Sequence, residues 1–235
     1  MNKRTILVIG PVSPQASDVE SIALTLKFLE KDYRIDYVDS LMITDPVSND
    51  AYYNKLWQAQ FRERMSHYHG FLGFSFGGII LQQCFSIFES MNKPIVLFST
   101  PAFADTALTY KLGKVISLCK ANMIDKALHC LYQDVFLKQE TQAQSFAHLD
   151  QDVAAKRLIF GLTRVLNTDS TDILTKTQVD HLHLIGEHSR LVNRENVITP
   201  NTGCLSIVPN AGMRVLQDNP AFCQHLILER LSRVV

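Results

Sequence analysis

Residues 73–78 read Gly-Phe-Ser-Phe-Gly-Gly, directly after the apolar run 68–72 and directly before the helix-like stretch 79–91. The Gly-x-Ser-x-Gly spacing is that of a nucleophile elbow. In such a turn a tight strand-to-helix connection holds its serine in a strained backbone conformation, and the glycines let neighbouring backbones come close. The turn sets the Ser75 hydroxyl at the mouth of a pocket, over a helix N-terminus. A serine there becomes a nucleophile once a general base takes its proton. An ordinary strand-to-helix turn would carry the same five residues; the placement between a strand and a helix is what favours the elbow.

Positioning that serine requires a sheet, and the rest of the chain has the pattern of one. Apolar runs at 5–9, 34–38, up to Phe74, and 94–99 alternate with helical patterns. Ser17-Asp18-Val19-Glu20 reads as a capping box opening a helix that runs to about residue 31, and residues 49–66 read as a polar amphipathic helix. This alternation predicts an α/β fold, a doubly wound, mainly parallel sheet with helices on both faces. The rhythm breaks between 103 and 176, where only helix-like segments occur, at 107–122, 125–137 and 150–166. That excursion reads as a helical cap inserted after the fourth strand. Strand and helix alternation resumes with 179–185 and 204–208, and Asn219-Pro220 opens a terminal helix with an N-cap and Pro at its first position. About six strands result. The expected core is residues 1–102 and 177–235, and the expected cap is 103–176.

Composition narrows the function classes. With 235 residues, 46 % of them hydrophobic, the chain can bury one large core, or a core and a cap, so disorder is excluded. Twenty-three basic residues balance twenty-three acidic ones, which argues against electrostatic capture of nucleic acid or an anionic membrane and for a small, near-neutral ligand. The five cysteines, Cys84, Cys119, Cys130, Cys204 and Cys223, show no C-x-x-C pairing and no close histidine, and they read as free thiols. The apolar run 6–9 stops at Gly10-Pro11, too short for a signal peptide, and no stretch approaches the roughly 20 residues that span a bilayer. A cytoplasmic protein is expected. No phosphate loop, dinucleotide fingerprint or metal-ligand cluster occurs, so no cofactor is expected. The stripe Tyr52, Tyr53, Trp57 and Phe61, and the run Phe85, Ile87, Phe88 and Met91, read as core.

Strand, elbow, helix and cap together resemble the α/β-hydrolase family over nearly the whole chain, with the cap where small esterases and thioesterases carry theirs. Two further segments match the family in their flanks. Leu184-Ile185-Gly186-Glu187-His188-Ser189-Arg190-Leu191-Val192 resembles the loop after the penultimate strand, usually Gly-Glu-x-Asp-x-Leu-Val. Ile207-Val208-Pro209-Asn210-Ala211-Gly212-Met213 resembles the loop after the last strand, usually ending Ala-Gly-His. By that resemblance Ser75 holds the nucleophile position, Ser189 stands where the acid is expected, and Met213 stands where the catalytic histidine is expected.

The departure outweighs the match. A serine needs a base, and the base needs an acid to set its tautomer and stabilise its charge; a thioether does neither job. Losing such a triad costs on the order of a million-fold in turnover, leaving about a thousandfold or more from the remaining machinery. The resemblance implies two oxyanion donors: the backbone N–H of Phe76, and that of the residue after Gly10. The latter is Pro11, which has none; a shift of one residue gives Val12. A missing donor costs about a further hundredfold or more.

Of the eight histidines, His188 is the candidate substitute base, since it sits one residue before the acid position and beside Glu187. A solvent-facing loop histidine is the alternative reading. His181 and His183 alternate with Leu182 and Leu184 along a strand, facing one side of the sheet under a helix or near an edge. His129 belongs to the cap. Asp105 occupies a place where some hydrolases carry an alternative acid, and it reads here as the N-cap of the first cap helix.

Two functions remain in view. One is a pseudoenzyme or binding protein that holds a small acyl, ester or carbonyl ligand under the cap or presents a surface to a partner. The other is an esterase, thioesterase or acyl-transfer enzyme using Ser75 with a rewired base such as His188. The expected partners are a small acyl or ester-like molecule or an acyl carrier; a homodimer or a protein partner stays open. Expected pocket walls are Pro11, Val12, Phe76, residues 102–108, apolar cap side chains, residues 188–191 and Met213.

Overall fold

Runs of Ile, Leu and Val with no polar face form strands buried on both sides, as a sheet covered by two helical layers demands. The computed structural model describes residues 3–43, 49–137, 146, 148–200 and 202–233. Its strands are β1 (Arg4–Ile9), β2 (Tyr33–Val38), β3 (Tyr68–Phe74), β4 (Ile95–Phe98), β5 (Leu182–Gly186) and β6 (Cys204–Val208). They form one six-stranded sheet in the order β2-β1-β3-β4-β5-β6, every pair parallel. The predicted sheet is the observed one.

The strands alternate their side chains between two cores. Leu7, Ile9, Phe71 and Leu97 face the layer formed by α2 (Asp50–Arg64), α3 (Phe76–Gln83) and α4 (Phe85–Phe88). Ile6, Val8, Leu72 and Val96 face α1 (Glu20–Leu26) and α10 (Pro220–Ser232), with the short α9 (Val215–Asp218) beside them. Between β4 and β5 come α5 (Thr106–Lys120), α6 (Ile124–Val135), α7 (Gln151–Asn167) and α8 (Thr171–Lys176), which extend the first of these cores. Within the expected cap, residues 138–145 and 147 lie outside the described residues.

Local differences from the sequence reading have local causes. The first helix begins with a 3₁₀ turn at Ala16–Val19, because the Asp18 carboxylate accepts the Gln15 backbone N–H at 3.0 Å and starts the turn ahead of Ser17. Cys84, outside helical dihedrals, divides the helix after the elbow into α3 and α4. Tyr52 is 49 % exposed and leaves the aromatic stripe to Tyr53, Trp57 and Phe61. Asp105, Asn219 and Asn49 cap their helices, accepting the N–H of Leu108, Phe222 and Tyr52. All five cysteines are free thiols; Cys84, Cys119 and Cys223 are buried. Among the described residues no helix is long and apolar enough to cross a membrane.

After β1 the chain crosses to β2 on one side, and β3 then pairs with β1 on the other. A crevice opens at the carboxyl ends of strands where the order reverses in this way, and ligands bind in such crevices. Gly10 and Pro11 end one of these strands and Ser75 ends the other. Gly77 sets their spacing: a Cβ there would fall 2.3 Å from the Ile9 carbonyl oxygen. Gly77→Ala is therefore expected to lower stability by at least about 2 kcal/mol, read as a shifted urea midpoint. An unchanged midpoint would mean that the elbow and β1 separate freely.

Candidate active site

The elbow forms as its spacing predicts. Ser75 has φ 49° and ψ −109°, a left-handed conformation that costs a non-glycine residue about 1–3 kcal/mol. The neighbouring strand holds it there, with the Ser75 N–H donating to the Phe98 carbonyl at 2.8 Å and the Ser75 carbonyl accepting from Ile79 at 3.1 Å, the first bond of α3. Directly after β4 a second serine, Ser99, is strained in the same sense, with φ 43°. Its N–H donates to the Leu184 carbonyl, and its Oγ donates to the Met213 carbonyl at 2.8 Å. Ser99 thus ties the loop after β6 to the end of β4.

Ser75, Ser99 and Met213 line one cavity of about 560 Å³, together with Pro11, Val12 and apolar side chains of α5, α6 and α7. A cavity of this size suits a small organic ligand. Ser189 touches Met213: its Oγ lies 3.8 Å from the Sδ, donating to a weak acceptor, and it also accepts the Val192 N–H at 3.3 Å. The two side chains that stand at the acid and histidine positions implied by the resemblance are neutral neighbours. Pro11 contributes a carbonyl that accepts the Ser40 hydroxyl at 3.1 Å, and the Gly10 N–H is bonded to Val38. Val12 packs closely on α7, where a Cβ on Gly161 would come within 2.6 Å of it. Arg157 of the same helix donates to the Ser13 carbonyl at 3.0 Å and pairs with Asp39 at 2.9 Å, so the loop after β1 is fastened to α7.

Other expected site residues fall elsewhere. His188 turns outward, half-exposed, with Nε2 3.6 Å from Glu187, and is not among the cavity's lining residues. The reason is the turn: its N–H is bonded to the Ala211 carbonyl, and the following residue, Ser189, takes the inward direction. The Phe76 ring stacks on Tyr53 in the core and is 1 % exposed, which leaves its backbone alone near the site. From residues 102–108 only Leu108 lines the cavity, and from 188–191 only Leu191. Asp105 is occupied by the Leu108 N–H and by Asn196. His129 bonds to the Asp125 carbonyl and packs on Phe146, outside the cavity lining.

His183 lies on the interior strand β5 and His181 directly before it, both fully buried. Burial, with His181 adding, pulls His183 down to about 3, so the ring is neutral and its Nε2 accepts the Thr100 N–H at 3.2 Å. His181 is lowered too, by burial first and against the bond to the Val179 carbonyl.

Sequence reasoning missed His148, the one histidine among the described residues that lines the cavity, and also Ser99, Tyr132 and Arg214. Ser99 carried a legible signal, as the polar residue directly after an apolar strand. Arg214 packs its guanidinium over Phe136 at 4.7 Å. Tyr132 is pushed up to about 12 by burial and then by Asp18, with Arg214 opposing, and all three line the cavity. Among the described residues no cluster of His, Cys, Asp or Glu has the arrangement of a metal site.

No protein-family model matches the sequence, and no curated protein is similar to it. Solved structures are similar over nearly their full lengths. An alpha/beta hydrolase enzyme from a Medee basin deep-sea metagenome library superposes with a TM-score of 0.81 at 14 % identity, covering 99 % of this chain and 90 % of that one. The chain has the α/β-hydrolase fold. An esterase from Exiguobacterium antarcticum (TM-score 0.73, 16 % identity, 98 % and 92 % covered) and MenH from S. aureus (0.72, 14 %, 99 % and 95 %) are similar in the same way. At such identities the likeness is one of fold, and within this α/β-hydrolase fold the chemistry has to be argued from the side chains.

Proposed function

We propose that this α/β-hydrolase-fold protein holds a small acyl, ester or carbonyl ligand under its helical cap, with little or no hydrolysis, as a pseudoenzyme or binding protein. One observation carries the reading: Ser189 and Met213, at the acid and base positions, are in contact with each other, and Met213 lines the cavity together with Ser75. Neither side chain takes up a proton near neutral pH, so Ser75 keeps an unactivated hydroxyl. Pro11 in the first loop removes one N–H from the expected oxyanion hole. The apolar cap walls suit a hydrocarbon ligand, and the five free thiols suit a cytoplasmic location.

The native protein is expected to resist a fluorophosphonate probe and to turn over a short activated ester no faster than Ser75→Ala does. Fast stoichiometric labelling that disappears in Ser75→Ala would replace this reading by a second one, a serine esterase, thioesterase or acyl-transfer enzyme with a rewired base. The strained, complete elbow favours that alternative, and the cavity position of His148 supplies a candidate base beside the earlier His188. Loss of turnover in His148→Ala or in His188→Ala would say which.

A further inference from the structure

The cavity crosses the edge of the sheet. Under the cap its walls are Leu108, Leu112, Leu131, Val135, Leu162 and Val165, all on the α2–α8 side. At the centre it passes the carboxyl ends of β3 and β4, where Phe74 and Phe98 stack with centroids 4.2 Å apart and planes 8° from parallel. It then continues past Val19, Ile22, Val215 and Leu216, which belong to the core on the opposite face. Ser75 therefore stands between two arms, and the arms differ in chemistry.

The second arm runs between the start of the first helix and α9. Its polar lining is Ser13, Gln15, Asp18 and Ser21 from one side and Arg214 and Gln217 from the other. Hydroxyls and carboxamides supply both donors and acceptors. The ionised side chains in this set are one carboxylate, Asp18, and one guanidinium, Arg214; Asp39, which also lines the cavity, is paired with Arg157 at 2.9 Å. Their charges offset, so the arm offers hydrogen bonds without a net field for either sign of charge. Ser21 and Gln217 are exposed and stand where this arm meets solvent.

We propose that the ligand is two-part: an apolar acyl tail under the cap, joined through its carbonyl near Ser75 to an uncharged, hydrogen-bonding head that crosses the sheet edge into the arm between Ser21 and Gln217. The proposal rests on the acyl-binding reading above and adds the head to it. A bare alkyl ester fills one arm and leaves the polar one to water. The Ser21 hydroxyl already donates to the Asp18 carbonyl at 2.7 Å and the Gln15 carboxamide oxygen accepts the Asp18 N–H, which leaves the Ser21 oxygen to accept from, and the Gln15 amino group to donate to, a head with hydroxyl and amide groups.

Two amides of one acid test it, since amides resist adventitious hydrolysis: N-methyldecanamide, which has the tail and carbonyl alone, and N-decanoyl-serinamide, which adds a neutral head. Dissociation constants are measured by calorimetry on the native chain, on Ser21→Trp and on Gln217→Trp, the last two being exposed positions where an indole blocks the arm. The head-bearing amide is expected to bind at least about tenfold tighter to the native chain. In either tryptophan variant the ratio is expected to fall to within about twofold. A native ratio near one overturns the two-armed ligand while leaving acyl binding standing. A ratio that persists in both variants places the head elsewhere and overturns it as well. Binding of neither amide to the native chain removes the acyl-binding reading itself, and this proposal with it.

Discussion

Ser189→Asp combined with Met213→His is expected to raise ester turnover at least about a hundredfold over the native chain, and to make Ser75 label rapidly with a fluorophosphonate. The two positions already touch, at 3.8 Å between Oγ and Sδ, and Met213 shares a cavity wall with Ser75. An aspartate and an imidazole placed there would have an orienting contact and a nearby hydroxyl without moving the backbone. A complete triad is worth on the order of a million-fold; a short oxyanion hole at Pro11 takes back about a hundredfold or more, and imperfect geometry accounts for the rest of the reduced expectation. Triad members act as a unit, so each single substitution should give far less than its share. The measurement is initial rate against Ser75→Ala in the same background. A double variant that folds, shows unchanged far-UV circular dichroism and stays as inert as the native chain would mean that Ser75 and position 213 do not face each other across a reacting carbonyl.

Acid is expected to weaken the fold through His183. Its ring is held neutral in the native state, with a folded value near 3 against an ordinary 6.5. Above pH 6.5 both states are neutral and stability is complete. As the pH falls from 6.5 toward 3 the unfolded chain binds a proton that the native core refuses, and stability drains away; below 3 this contribution flattens. By pH 5 the loss attributable to this one ring is about 2 kcal/mol, and His181, lowered in the same direction, adds to it. His183→Gln keeps an oxygen to accept the Thr100 N–H and removes the titration. Urea unfolding at pH 7 and pH 5 should show a difference between the two pH values that is smaller in His183→Gln by about 2 kcal/mol. Equal differences in the two proteins would assign the acid sensitivity to other groups.

What was legible in the sequence follows from which forces are local. The run Thr5 to Ile9 has no polar face, so it reads as an interior strand from composition alone, and the Gly-x-Ser-x-Gly string reads as an elbow because only glycine tolerates the contact that Gly77 makes with Ile9. The offset of Asp105 and Asn219 from their helices is likewise a short-range pattern. Direction within a turn is different. His188 and Ser189 are adjacent, and which of them faces inward depends on the bond from the His188 N–H to Ala211, 23 residues further along. His148, exposed and just before α7, lines the cavity with no signature around position 148 to announce it. Ser99 and Arg214 reach the same wall by long-range pairing, Ser99 through the Met213 carbonyl and Arg214 through Phe136.

The loops that carry Ser189 and Met213 are joined through their main chains. The Glu187 and His188 N–H groups donate to Val208 and Ala211, and the Asn210 N–H returns to the Glu187 side chain. At Gly186 a single added methyl would fall 1.9 Å from the Gly212 carbonyl oxygen, so the two segments lie against one another with no side chain between them. Backbone contacts of this kind break together or not at all, which makes residues 186–189 and 208–213 a single opening unit in the sense of native-state hydrogen exchange. The amides of Glu187, His188 and Asn210 then share one opening free energy. Whatever sits against Met213 is sensed by Ser189 on the same timescale, and the two positions are best regarded as one moving part.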